Sequence, residues 1–286
     1  FPVRTALHRR AVQVTKRRRF ALHIVVCTKH TPDTAAKMSV DGAGNVSWGD
    51  APLVINPWDE YAVEEALILR DEHGGKITVI AMGPEPAREA LKHAVAMGCD
   101  AAIRVWDESF TGSDTLATSY ILAQAIQKLE DVDLVMLGRG TVDSDTGQVG
   151  PTLARWLGYA PLMYTSKVSA VDPEAKTIAV ERLLEQGRQL VASSLPAVVG
   201  TVKEINEPRY PSFIGIRKAA KLDMPVWDAA EIGADPAKVG TAGSGVTWPT
   251  IYAPPSRETE AEIIEADTPE EAATILADKL ISEKVV

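Results

Sequence analysis

Short, nearly continuous apolar runs alternate with amphipathic stretches over most of the chain. Leu22–Cys27, Ile77–Met82, Ala102–Val105, Leu134–Leu137 and Ala197–Thr201 have the length of buried strands. Runs without strict polar alternation fit a parallel sheet covered on both faces. Between them lie helical patterns. Asn56-Pro57-Trp58-Asp59 supplies an N-cap, a proline at the first position and an acid in the first turn. Ala62, Val63, Ala66, Leu67 and Leu69 then form the buried stripe, which stops near Gly74-Gly75. Residues 85–97 and 114–129 read as two more helices, and 152–157 as another. This order predicts an α/β fold: a doubly wound, mostly parallel five-stranded sheet of the adenine-nucleotide-binding type.

Two stretches break the alternation. Residues 168–171, 177–182 and 189–193 alternate like surface strands and are joined by Asp172-Pro173 and Gln186-Gly187 turns. They predict an antiparallel insertion ahead of the fifth parallel strand. Beyond Pro225 the chain turns rich in Gly, Ala, Ser, Thr and Pro, the composition of an extended arm without its own core. Thr268-Pro269-Glu270-Glu271 then opens a helix whose apolar face is Ala272, Ile275, Leu276, Leu280 and Ile281. A lone amphipathic helix after an arm must dock on something, and a partner subunit is expected. The expected organisation is therefore a basic extension over 1–20, an α/β domain over 21–225, and a C-terminal arm with its helix over 226–286.

Composition narrows the function classes. The 286 residues are 45% hydrophobic and 24% charged, with a net charge of −9, so neither nucleic acid nor an anionic membrane is an expected partner. Cys27 and Cys99 have no paired spacing, which suits a reducing compartment, here the cytoplasm. The five histidines show no metal-ligand spacing, and no nucleophile–base motif stands out. Residues 1–20 differ in kind, with seven Lys/Arg and no acid. Because they begin with Phe, they are read as a disordered or spurious extension; read as a genuine transit peptide, they would instead direct the chain to the mitochondrial matrix.

The most telling stretch is Gly138–Pro151. It leaves an apolar strand, passes through a glycine-rich, hydroxyl-bearing turn and restarts as a helix. Such a turn presents backbone N–H groups at the positive end of a helix dipole, which suits phosphate. Gly138, Gly140 and Gly147 permit close backbone approach, Thr146 and Gln148 can hydrogen-bond phosphate or ribose, and Arg139 can add charge. An ordinary strand-to-helix turn has the same spacing. The ends of other strands and the turn before the first helix are expected at the same sheet edge, with Cys27, Met82 and Asn56, Pro57, Trp58 and Asp59 around a nucleotide.

Four words in order then carry a resemblance: Asn56–Ala66 (NPWDEYAVEEA), Ala94–Asp100 (AVAMGCD), Leu195–Val199 (LPAVV) and Asn206–Tyr210 (NEPRY). The sequence resembles the beta subunit of electron transfer flavoproteins from about Leu22 to Leu222. Arg182, Glu185, Gly187, Gln189 and Leu195–Val199 satisfy that family's signature, with Gln186 and Gly200 departing from it. The resemblance implies a heterodimer with an alpha subunit that holds the electron-transferring FAD. It also implies an adenine nucleotide held by Gly138, Arg139, Gly140, Thr141, Val142, Asp143, Asp145, Thr146, Gly147, Gln148 and Val149.

In members that only carry electrons, that nucleotide is AMP. Here Gly147 and Val149 replace polar residues of the AMP loop, which is similar to the subgroup whose beta subunit binds a second FAD and bifurcates electrons from NADH. The run Phe110–Ser119 and the long arm look like that subgroup as well. Ferredoxin or flavodoxin would then be the low-potential acceptor. Arg209, Tyr210, Phe213, Ile216 and Arg217 align with the family's recognition loop, which implies docking to an acyl-CoA dehydrogenase. A nucleotide-sensing module of the universal-stress type shares the same α/β plan and remains a competing expectation.

Overall fold

The computed structural model describes residues 21–255 and 261–285, so expectations for residues 1–20 lie outside the described residues. In chain order the strands are β1 (Leu22–Thr28), β2 (His30–Pro32), β3 (Ser39–Val40), β4 (Val46–Ser47), β5 (Leu53–Ile55), β6 (Gly75–Met82), β7 (Ala101–Val105), β8 (Leu134–Gly138), β9 (Ala160–Asp172), β10 (Thr177–Leu184), β11 (Gly187–Ser194), β12 (Ala197–Thr201) and β13 (Val226–Trp227). The helices are α1 (Pro57–His73), α2 (Ala87–Met97), α3 (Thr115–Gln127), α4 (Val149–Leu157), α5 (Phe213–Lys221), α6 (Gly240–Gly243) and α7 (Pro269–Ser282).

Nine strands form one sheet in the order β11-β10-β9-β12-β8-β1-β6-β7-β13. All pairings from β9 to β13 across this sheet are parallel; only the β9–β10 and β10–β11 pairings are antiparallel, so β10 alone runs against the other strands of the sheet. The mostly parallel α/β fold is therefore as expected, but the sheet is wider than five strands. The insertion does not stand apart: β9 is long enough to pair with β12 along its first half and with β10 along its second. Short β2 and β5 pair beside the sheet, and β3 pairs with β4.

Alternate residues of β1 face opposite layers. Leu22, Ile24 and Val26 pack with Ala62, Val63, Ala66 and Leu67 of α1 and with Leu91 of α2. Val25 and Cys27 pack with Ile121 and Ile126 of α3 and Leu153 of α4. Each fully buried aliphatic side chain contributes about 1.5–3 kcal/mol, so the two faces together hold the three layers in register. The chain runs from β1 to β6 and β7 on one side, then returns to β8 on the other side of β1. The strand order thus reverses between β1 and β8.

The described residues divide into two units. One runs to Met38 and from Ser47 to Pro249; the other takes in Ser39–Val46 and the residues from Thr250 on. The larger unit extends past the expected boundary at 225. There β13 adds to the sheet edge, and Ile232 and Val239 bury themselves among the residues of α3. In the smaller unit α7 starts at Thr268, whose hydroxyl accepts the Glu271 N–H, and Leu276 and Ile281 are exposed.

Helices α5 and the short α6 had no counterpart in the sequence reading. Residues 213–221 form α5, capped by Ser212 Oγ on the Gly215 N–H and packed on α2. The segment leading to it is anchored by two buried acids of α1. Glu64 takes the Arg209 guanidinium and its backbone N–H at 2.8–3.1 Å, while Glu65 accepts from Asn206 at 3.0 Å. Glu64→Ala strands these donors and should cost about 1–3 kcal/mol of stability, read as a lowered Tm with faster proteolysis near residues 203–212.

Candidate functional site

The reversal point between β1 and β8 is where ligands of open α/β sheets bind, beyond the carboxyl ends of the strands. A cleft of about 470 Å3 opens there, within the range usual for small-molecule sites. The ends of β1 (Cys27 and Thr28), β6 (Met82) and β8 (Leu137 and Gly138) line it, with the start of α3 and the loop before α4.

The turn at α1 builds the cleft. Asn56 begins α1 but makes no side-chain cap; it reaches across to the 138–148 loop. Its Nδ2 donates to the Gly140 carbonyl at 2.9 Å, and its Oδ1 accepts the Val142 N–H at 3.2 Å. Asp59 is 4% exposed and bridges the two strands of the reversal point. Its Oδ2 accepts the Lys29 N–H at 2.9 Å and its Oδ1 the Gly138 N–H at 3.0 Å. Proximity explains the glycine at 138: a Cβ there would lie 2.7 Å from the Trp58 carbonyl carbon and 2.8 Å from Asp59 Oδ1. That glycine serves the approach of α1, not of a ligand alone.

Other loop side chains brace one another. The Arg139 guanidinium lies 3.7 Å from the centre of the Trp58 ring and 3.3 Å from Asp145, which sits in the left-handed region at φ 42°. Lys29 Nζ pairs with Asp143 at 2.6 Å, and the hydroxyls of Thr141 and Ser144 are 2.9 Å apart. Of the residues expected in the site, Cys27, Asp59, Met82, Gly138, Arg139, Gly140, Thr141, Thr146, Gly147, Gln148 and Val149 line the cleft. Asn56, Pro57, Trp58, Val142, Asp143 and Asp145 stand outside the lining, and most of them support the loop from behind.

What remains to face a ligand is a set of donors suited to phosphate. Helix α4 begins at Val149 with no side-chain cap, and Thr146 and Gln148 are exposed beside it. At Gly147 the backbone takes φ 63°, the left-handed region that favours glycine; an added Cβ would make only ordinary contact there, 3.6 Å from the Arg139 carbonyl oxygen and 3.9 Å from the Tyr164 hydroxyl. This donor set fits an adenylate phosphate or diphosphate. The lining also has an apolar part, with Cys27, Met82, Trp106, Leu122 and Leu137. Burial pushes the Cys27 thiol up to about 12, so it is packing and not a nucleophile.

Sequence reasoning missed His30, Trp106, Leu122, Val246 and Trp248, all of which line the cleft. Trp106 follows a strand end and was open to the same rule as Met82. Val246 and Trp248 carry no periodic signal. They come to the mouth because Asp114, the N-cap of α3, also accepts the Gly245 and Val246 N–H groups at 2.7 and 3.1 Å.

A second cleft, about 790 Å3, lies at the amino ends of β1 and β6. Its lining mixes Glu130, Asp131 and Asp133 with His23, Lys76 and Lys176, and Lys176 is already paired with Asp133. Among the described residues no helix is long and apolar enough to cross a membrane, and no cluster of His, Cys, Asp or Glu could hold a metal.

Residues 49–232 match the model of the electron transfer flavoprotein domain. The chain belongs to the electron transfer flavoprotein family. It is 41% identical to protein FixA of Azotobacter vinelandii over 249 residues, covering 86% of this chain and 89% of that protein. It is 38% identical to the electron transfer flavoprotein subunit beta of Clostridium acetobutylicum over 267 residues, covering 93% of this chain and all of the relative. The corresponding subunit of Megasphaera elsdenii is 35% identical over 274 residues. The 138–148 loop and the start of α1 fall inside the matched region, whereas Cys27–His30, Val246 and Trp248 of the cleft lie outside it.

Burial pushes the Asp59 carboxyl up from 3.8 to about 7, against the opposing pull of the Gly138 and Lys29 N–H donors. The folded chain therefore holds this proton more tightly than the unfolded chain. The stability it contributes is fully present below pH 3.8 and is lost as pH rises through about 7. Asp59→Asn should flatten that slope. Above pH 7 it should also cost about 1–3 kcal/mol, because an amide nitrogen then faces a backbone N–H. Urea unfolding across this pH range checks both effects, and an unchanged slope contradicts them.

Proposed function

We propose that the chain is the beta subunit of a heterodimeric electron transfer flavoprotein and that the reversal-point cleft holds an FAD. The carrying observation is the mixed lining of the cleft: the turn at 146–149 before α4, suited to phosphate, together with the apolar Cys27, Met82, Trp106, Leu122, Leu137 and Trp248. AMP would need less apolar lining than FAD. A bound FAD would supply hydride acceptance from NADH and onward transfer of single electrons to the alpha-subunit FAD and to a ferredoxin or flavodoxin.

The chain's own residues would bind and orient it. Val149 and Gly150 amides, with Thr146 and Gln148, receive the diphosphate; Arg139, already stacked on Trp58, lies close enough to neutralise charge. Gly147 lets the loop take the left-handed turn that leads into α4. Trp106 and Trp248, which line the same cleft, would give the rings of the ligand an apolar surface and limit water. Helix α7 and the residues before it are assigned to docking on the alpha subunit, which would cover Leu276 and Ile281.

A dehydrogenase, taken here as an acyl-CoA dehydrogenase, is assigned to the surface around α5. Tyr210, Phe213 and Ile214 are 94%, 89% and 83% exposed, and Ile216 and Arg217 are exposed beside them. Such an apolar cluster suits a docking anchor. Arg209 is expected to act indirectly, since Glu64 holds it. Phe213→Ala should weaken dehydrogenase-dependent reduction about tenfold or more in KM while leaving bound flavin unchanged, which steady-state kinetics with intact heterodimer measures.

Co-expression with the neighbouring alpha chain and a count of nucleotides per heterodimer tests the reading directly. Two FAD support it. One FAD with one AMP supports a carrier whose beta site is structural. No alpha partner and no flavin would favour a nucleotide-sensing module.

A further inference from the structure

We propose that Thr28 and His30 grip the ring edge of the bound nucleotide and so decide which heteroaromatic ring the cleft accepts. This deepens the function proposed above and rests on it.

Both residues line the cleft, and the His30 ring lies beside Gly83, just past the end of β6. Thr28 is 6% exposed, and its Oγ1 has no hydrogen-bond partner among the described residues. The same holds for His30 Nδ1, a buried atom of a half-buried ring. A buried polar atom without a partner costs about 1–3 kcal/mol, and native structures rarely keep one without a use. Two such atoms in one cleft wall are explained if their partners arrive with the ligand.

The backbone under them is held firmly. Between the two residues, Lys29 donates its N–H to Asp59 at 2.9 Å and accepts the Asn56 N–H at 2.8 Å. His30 itself pairs with Ile55 in the β2–β5 ladder. Its ring lies against Gly83, where a Cβ would come within 3.0 Å of His30 Cε1. Groups positioned this way suit recognition better than groups on a free loop.

The chemistry points to a ring, not to another phosphate. Burial and the neighbouring Lys29 lower the His30 pKa, so near neutral pH the imidazole offers one donor and one acceptor and no charge. The Thr28 hydroxyl can donate and accept. Around them the wall is apolar, from Cys27 and Met82 to Trp106. A flat ring with alternating donors and acceptors on its edge matches that wall, and both adenine and the flavin ring have such an edge.

The test uses heterodimer stripped of the nucleotide in this cleft and titrated with FAD and, separately, with AMP. Thr28→Val replaces the hydroxyl by a methyl of like shape. His30→Leu removes Nδ1, and His30→Asn keeps a polar atom near its position. Thr28→Val and His30→Leu should each weaken FAD binding about 3- to 10-fold, with His30→Asn recovering most of the loss. The Tm of the stripped Thr28→Val protein should not fall, since the lost hydroxyl has no partner there. Equal weakening for FAD and AMP assigns the contact to adenine; weakening for FAD alone assigns it to the flavin. Unchanged affinity in both variants overturns the contact, as does a lowered Tm of stripped Thr28→Val with normal binding. Failure of the unmutated heterodimer to bind either ligand overturns the functional reading and this inference with it.

Discussion

The site depends on one buried carboxylate. At the reversal point two parallel strands diverge into different loops, and nothing in the sheet ladder holds their ends together. Asp59 does so from the first turn of α1, accepting one N–H from the end of each strand. Asn56, three residues earlier on the same turn, ties down the next part of the loop through both ends of its amide. A helix start that looks ordinary in sequence is thus the fastening of the whole cleft. The cost is a carboxyl kept largely from water, which is why its proton is held up to about pH 7.

This fastening divides the loop into two classes of residue. Arg139, Asp143 and Asp145 satisfy Trp58, Lys29 and each other, so that the backbone takes a fixed path. Thr146 and Gln148, before α4, are left exposed, with the Gln148 N–H donating to Thr146 Oγ1 at 3.4 Å. Preorganised backbone donors lose little entropy when an anion arrives, which favours tight holding of a cofactor over exchange. The division also separates two kinds of substitution: those in the bracing residues shift the loop, whereas those at 146 and 148 change contacts without moving it.

Much of this was legible in the residues. The five apolar runs became central strands, and Asn56-Pro57 marked the start of α1 to the residue, because strong local signals and burial agreed there. The loop at 138–148 was recognisable from its glycines between strand and helix. The rest depended on contacts distant in sequence. Residues 226–249 have the composition of an arm, yet β13, Ile232 and Val239 are held by packing on β7 and α3, which no local pattern reports. Helix α5 was hidden because its exposed Phe213, Ile214 and Ile216 blur the apolar stripe. Asp59 read as a first-turn acid favourable to the helix dipole; its burial follows only from the meeting of α1, β1 and β8.

The most direct test of the central claim is hydrogen–deuterium exchange of the heterodimer with and without its nucleotide. The account predicts slowed exchange at the amides of residues 139–149 and at residues 27–30, with β10 and β11 unchanged. Protection confined to the opposite edge of the sheet, around His23 and Lys176, with residues 139–149 unaffected, would contradict it.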